Sequence, residues 1–132
     1  MTHYLLDTNH ASSLLRRIPE IRERVGRVQA EELSLSRPTI GELWFMIFNS
    51  GRVDANRSEL ETFLHDFTII EFDAPAAIEF GRIRAEARRS GRAIAGIDAQ
   101  IAAIARLNGF TLLTDDGDFS GVNGLRIENW LR

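Results

Sequence analysis

Hydrophobic positions follow two rhythms along this chain, and their alternation predicts its architecture. Tyr4-Leu5-Leu6 is a short apolar run that stops at Asp7, the pattern of a buried strand. Thr8-Asn9 reads as a polar turn, after which Ala11, Leu14 and Leu15 have helical spacing. Ile18, Ile21, Val25 and Val28 continue at intervals of three and four, with Pro19 suited to the first turn of a second helix. Leu33-Ser-Leu-Ser36 alternates like a strand. Pro38-Thr39 then opens a helix whose apolar face is Ile40, Leu43, Trp44, Ile47 and Phe48, and Gly51 stops it. A helix over 57–66 leads to a strand over 68–72. From Asp73 or Ala74 to Arg89 the chain is rich in Ala and Arg and reads as a helix closed by Ser90-Gly91. The next helix begins near Asp98, buries Ile101, Ala102, Ile104 and Ala105, and ends at Asn108-Gly109. Phe110-Thr-Leu-Leu113 is a strand that runs into Thr114-Asp-Asp-Gly-Asp118, and Leu125-Arg-Ile127 is a last short strand before Trp130.

Strands that alternate with helices predict an α/β fold with a parallel sheet covered on both faces. The 132 residues, 44% of them hydrophobic, suit one compact domain over 1–132 and leave no room for a second core. In such sheets ligands bind beyond the carboxyl ends of the strands, and this rule gathers scattered acids into one place. Asp7 ends the first strand, and Glu42 lies just past the second in a helix's first turn. Asp98 opens a helix, while Asp116 and Asp118 follow the strand that ends at Leu113.

Composition narrows the chemistry. The chain has no cysteine, which excludes disulfides, thiolate nucleophiles and zinc–cysteine sites. All sixteen basic residues are Arg, and the absence of Lys rules out a Walker-type phosphate loop, Schiff-base chemistry and a phospho-acceptor receiver domain. No apolar run approaches the roughly 20 residues of a membrane span, and the start lacks a signal peptide's features, so the expectation is a cytoplasmic protein. The net charge of −3 by itself argues only weakly against nucleic acid. It hides two basic stretches, Arg16 to Arg27 and Arg82 to Arg92, set apart from Asp115, Asp116 and Asp118.

Each acid also has a purely structural reading. Asp7 suits a helix cap, Thr39-Ile-Gly-Glu42 matches a capping box, Asp98 suits an N-cap after Gly96, and Asp116-Gly117 suits a turn. Capping, however, requires none of them to converge. Carboxylates gathered on one edge repel one another, and a hard divalent ion such as Mg²⁺ or Mn²⁺ removes that conflict.

Four motifs, taken in order, resemble those of PIN-domain ribonucleases. They are Leu5-Leu6-Asp7-Thr8-Asn9, Glu42 at a helix start, Asp98-x-x-Ile101-Ala102-Ala103, and Thr114-x-Asp116-x-Asp118-Phe119. Arg82-Ile-Arg84-Ala and the ending from Gly124 to Trp130 look specifically like VapC-type toxins of bacterial toxin–antitoxin pairs. The resemblance covers essentially the whole chain. It implies a three-layer α/β/α fold and a Mg²⁺- or Mn²⁺-dependent endoribonuclease in which metal-activated water attacks the phosphodiester without a covalent enzyme intermediate. Carried over by position, Asp7 and Asp98 are the main metal ligands, Glu42 and Asp116 complete an acidic quartet, and Asp118 is an additional ligand or a support to the ligands from behind. Thr8, Asn9 and Thr114 orient carboxylates or waters. The implied partners are RNA, a second copy of the chain, and a cognate antitoxin through which the complex reaches operator DNA.

The chain departs from the family pattern at His10, where many relatives carry an aliphatic residue, and at Asp115-Asp116, where Asn is common. His10 reads first as a helix residue beside the site, with a proton-donor or phosphate-contact role as the alternative, and Asp115 as facing solvent rather than strengthening metal binding. Arg82, Arg84, Arg88 and Arg89 suit an RNA-gripping face, or equally a solvated face paired with Glu79 and Glu86 at helical distances. Leu14, Leu15, Ile18, Ile21, Val25, Trp44, Phe45 and Phe48 exceed what single helix faces need and suggest a groove for a partner helix. Two other readings stand beside the nuclease. One is a catalytically silent PIN-like module that binds RNA or a partner; the other is a metal-dependent phosphatase.

Overall fold

The computed structural model describes residues 2–132. In chain order the elements are β1 (Tyr4–Leu6), α1 (Thr8–Leu15), α2 (Pro19–Val25), β2 (Leu33–Ser36), α3 (Arg37–Phe48) and α4 (Val53–Leu64), then β3 (Thr68–Ile70), α5 (Ala74–Arg89), α6 (Gly96–Asn108), β4 (Thr111–Leu113) and β5 (Arg126–Glu128). The sheet runs β3-β2-β1-β4-β5 and every ladder is parallel.

Alternate strand residues feed two cores. Leu5 and Leu112 point to a cluster with Ile83, Ala87, Ile101 and Ile104, so α5 and α6 cover that face. Leu6, Leu35 and Leu113 point to the other, with Ala11, Ile21, Ile40, Leu43 and Leu60 of the first four helices. Helices therefore lie on both faces, the arrangement an all-parallel sheet requires. Burial of each such Leu or Ile contributes about 1.5–3 kcal/mol. Among the described residues, no helix is long and apolar enough to cross a membrane.

Helix starts differ from the sequence pattern where a better cap lies upstream. Asp7 caps α1 directly, so Thr8 is helical rather than part of a turn. Ser36 caps α3, its hydroxyl accepting the Thr39 N–H at 3.2 Å. Thr39 is thus inside the helix, the expected capping box with Glu42 does not form, and Glu42 stands in the second turn rather than the first. On α3, Ile40, Leu43 and Ile47 are buried as expected, whereas Phe48 is 60% exposed and outside the core. α2 stops at Val25, before Val28, with Gly26 as its C-cap. α1 ends with Arg17 in the left-handed region (φ 62°), where its N–H reaches Leu14 O and that of Ile18 reaches Ser13 O.

An ion-pair network joins α6 to α5. Arg106 donates from Nε to Glu79 (2.7 Å), from Nη1 and Nη2 to Glu86 (both 3.0 Å), and from Nη1 to the Asn123 carbonyl (3.1 Å). Arg82 also pairs with Glu79 at 3.2 Å, the one expected helical pair that forms there. The chief partner of both glutamates is therefore a residue from another helix.

Candidate active site

β1 and β4 end in register at Leu6 and Leu113, and β2, with Leu35 beside Leu6, runs one residue further. The next residues are Asp7, Ser36 and Thr114, which stand side by side on the carboxyl edge of the sheet. Ser36 launches α3 and so carries Glu42 to this edge; Thr114 launches the loop that carries Asp115, Asp116 and Asp118. α6 brings Asp98.

Asp7 is only 5% exposed, and its Oδ1 accepts the backbone N–H of His10 at 2.7 Å. Asp98 is not a cap, because α6 begins at Gly96 with Ala95 before it. Among the described residues, the carboxylates of Asp98, Glu42 and Asp118 accept no hydrogen bond. Burial pushes the Asp98 carboxyl above its ordinary range, and the charges of Asp116, Asp118, Asp7 and Glu42 add to the shift in that order. Asp98 thus feels the charge of the four other acids, and two of them stand close to it. Asp98, Asp116 and Asp118 each present an oxygen within 4.8 Å of the others.

The loop is fixed by its own polar groups. Buried Thr114 accepts the Asp116 N–H on Oγ1 at 3.0 Å, and Asp116 Oδ1 accepts the Asp118 N–H at 2.9 Å. The turn reading of Asp116 is therefore compatible with a ligand role, since one oxygen forms the turn and the other remains. Asn9 donates to both oxygens of Asp115 at 2.9 and 3.1 Å, which ties an exposed acid to the start of α1. Thr8 makes no side-chain hydrogen bond among the described residues.

Among the described residues no arginine pairs with Asp7, Glu42, Asp98, Asp116 or Asp118. The donors are carboxylate oxygens, they crowd one another, and no arginine among the described residues neutralises them. This set fits a hard divalent cation.

Of the four arginines singled out on α5, Arg82 is tied to Glu79 and Arg84 lies over the Phe80 ring at 5.6 Å. Arg88 and Arg89 are exposed in the last turn.

Two residues stand beside the cleft where the sequence put them, His10 on the helix and Asp115 in solvent, but their grouping with Asp7 was not foreseen. His10 is fully buried with its ring at Asp7, and Asp115 forms a second close group with Asp7 and His10, their ligand atoms within 4.8 Å. The available signal was the Asp-x-x-His spacing, because the third residue of a helix faces back toward its cap.

The PIN domain family matches residues 4–125 of the chain. Ribonuclease VapC2 of Haemophilus influenzae is 35% identical over 133 residues, covering 99% of this chain and all of that protein. The tRNA(fMet)-specific endonuclease VapC of Shigella flexneri is 33% identical over 132 residues, covering 98% of this chain and 99% of that one. The crystal structure of DNA-bound VapBC from Salmonella typhimurium superposes with a TM-score of 0.92 at 30% identity, over 98% of this chain and 99% of that chain.

Proposed function

The chain belongs to the PIN domain family, and on that premise we propose that it is a divalent-metal-dependent endoribonuclease, the toxin of a toxin–antitoxin pair, with residues 1–132 as one catalytic domain. The observation that carries this reading is the convergence of unpaired acids on Asp98 at the carboxyl edge of a parallel sheet.

Asp7, Asp98, Asp116 and Asp118 would hold Mg²⁺ or Mn²⁺, with Glu42 completing the acidic set. When bound, the cation supplies Lewis-acid neutralisation of phosphate charge and makes water a better nucleophile. The protein's share is positional. Buried Asp7 has one oxygen fixed by the start of α1, and Thr114 fixes the Asp116 backbone. Glu42, outside that ligand set and free of hydrogen bonds among the described residues, is the group left to orient water and take up its proton. In this reading water attacks the phosphodiester directly, and the RNA is never attached to the enzyme. Arg84, Arg88 and Arg89, with Arg82 in a lesser role, give the RNA backbone a positive face on α5.

The partner reading has separate support. A groove of about 500 Å³ is lined by Leu14, Val25, Val28, Phe63 and Phe67, with Arg17 and Arg22 at its rim. We assign it to the antitoxin. It differs from the expected surface, since Ile21 is buried in the core and Trp44, Phe45 and Phe48 lie outside it. Phe45 and Phe48, 64% and 60% exposed, support pairing of two copies through α3. The toxin–antitoxin complex would then reach operator DNA through the antitoxin.

The decisive experiment is cleavage of total bacterial RNA by antitoxin-free protein with Mg²⁺, Mn²⁺ or EDTA, beside Asp98→Asn. Discrete metal-dependent fragments, absent with the variant, are expected. Intact RNA from folded, metal-binding protein would instead identify a silent binding module.

A further inference from the structure

His10 is 0% exposed, and both of its ring nitrogens are engaged. The backbone N–H of Trp130 donates to Nε2 at 3.0 Å, while Nδ1 lies 3.2 Å from Asp7 Oδ1. A backbone N–H can only donate, so Nε2 must accept. A neutral ring then carries its proton on Nδ1 and donates it to the Asp7 carboxylate. The same Oδ1 accepts the His10 backbone N–H at 2.7 Å, so two donors from one residue hold one oxygen of Asp7. Among the described residues, Oδ2 accepts nothing.

The far end of this chain of hydrogen bonds is also fixed. The Trp130 side chain is 3% exposed in the core beside Leu6 and Ala11, its ring lies 4.7 Å from that of Tyr4, and its Nε1 donates to Glu128 at 3.0 Å. The contact spans 120 positions of sequence and joins the end of the chain to the first strand's acid.

We propose that His10 is a positioning residue: its Nδ1–H, locked in that tautomer by the Trp130 main chain, fixes the rotamer of Asp7 so that Oδ2 alone faces the cation site. The proposal rests on the metal-site reading above. It excludes a ligand role for His10, although Asp7, His10 and Asp115 stand close enough to suggest one. A ligating Nδ1 would move the ring proton to Nε2, against the Trp130 N–H, and leave two donors face to face. It also differs from mere packing, which any side chain of similar volume would satisfy.

Three variants separate these roles in the full chain. His10→Asn keeps an N–H donor near the Nδ1 position but loses the acceptor for Trp130. His10→Gln keeps a polar group toward Trp130 and loses the donor to Asp7. His10→Leu fills volume only. Calorimetric titration with Mn²⁺ is expected to give His10→Asn an affinity within about threefold of the parent, and His10→Gln and His10→Leu a loss of about tenfold or more. Circular dichroism checks that each variant folds. Independently, ¹⁵N NMR of the parent ring should show a protonated Nδ1 and an unprotonated Nε2, a result that does not depend on any variant folding.

An Nε2-protonated ring overturns the proposal, as does parent-like Mn²⁺ affinity in His10→Leu, or a loss in His10→Asn equal to that in His10→Leu. The Asp98→Asn control separates the two levels. Mn²⁺ binding that is lost with Asp98→Asn yet unchanged with His10→Leu rejects the positioning role alone. A parent protein that binds no Mn²⁺ rejects the metal site, and the positioning role with it.

Discussion

Asp98 and Asp116 hold carboxylate oxygens within 4.8 Å of each other, and neither is paired with an arginine among the described residues. Their repulsion, added to burial, raises the Asp98 carboxyl above its ordinary range. The folded chain therefore takes up that proton more readily than the unfolded chain. The resulting penalty is absent below the unfolded-state range and grows as pH rises through the higher folded value. Removing the charge should relieve it. Metal-free Asp98→Asn is expected to be more stable than the parent at neutral pH by roughly 0.5–1 kcal/mol after solvent screening. The difference should vanish in acid, where the parent's Asp98 is protonated. Thermal melts in EDTA at pH 7 and at about pH 3, below the unfolded-state range, check this, and a destabilised variant at pH 7 would mean that Asp98 has a structural role.

A cation that binds only the folded site must stabilise it by mass action. Mn²⁺ at a hundred times its dissociation constant should add about 2.7 kcal/mol, and EDTA should reverse the gain. Asp98→Asn and Asp7→Asn should each lose most of the shift, whereas Asp66→Asn, in the lining of the groove, should keep it. Equal shifts in all four proteins would place the ion elsewhere.

Arg106 tests the frame on which Asp98 sits. Its hydrogen bonds are the first cause holding the Glu79 and Glu86 carboxyls below their ordinary range. Depressed carboxylates contribute stability that is complete above the unfolded-state range and is lost as pH falls through the lower folded values. Arg106→Ala is expected to cost about 2–4 kcal/mol at pH 7, because it leaves partly buried Glu86 without its guanidinium partner and Glu79 with Arg82 alone. The gap should narrow below about pH 4 as the unfolded-state carboxyls protonate. Arg106→Lys should recover less than half, lacking the planar fork that reaches both acids. Urea midpoints at the two pH values give the answer.

Much of this frame was legible locally. Asp73 followed by Pro75 marks the start of α5, the strands around Leu5 and Leu112 stand out as apolar runs between turn residues, and that around Leu35 stands out by alternation. The sheet-edge rule then collected Asp7, Asp98, Asp116 and Asp118 without any distance. What stayed hidden depends on choices between equivalent neighbours or on pairing across the chain. Ser36 and Thr39 are both good caps, and the choice of Ser36 moved Glu42 back by one helical turn. Arg106 reaching Glu79, and Trp130 reaching His10, join residues 27 and 120 positions apart, and no periodicity encodes such a pairing.

The end of α1 offers a stability gain independent of the cleft. Arg17 occupies the left-handed region at φ 62°, where a side chain crowds its own backbone and glycine does not. Arg17→Gly should raise stability by about 0.5–1 kcal/mol, the steric relief exceeding the entropy that glycine adds to the unfolded chain. Nuclease activity should be unchanged, since Arg17 borders the groove rather than the acids. A lower urea midpoint would show that its side chain contributes more than its backbone costs.

The arginines of α5 differ in how free they are to meet phosphate. Arg82 is held by Glu79 at 3.2 Å, while Arg88 and Arg89 are exposed in the last turn. Each arginine that meets a phosphate of single-stranded RNA should contribute about 0.7 to the slope of log affinity against log salt. With Asp98→Asn as a cleavage-deficient background, Arg88→Ala and Arg89→Ala should each weaken RNA binding and flatten that slope by about 0.7. Arg82→Ala should change it much less, because the freed Glu79 still answers to Arg106 and its own guanidinium is already paired. Filter binding across a salt series reads all three. If Arg82→Ala flattened the slope as much as the others, the ion pair with Glu79 would have to open on RNA binding. If none of them changed it, the RNA would track a different face from α5.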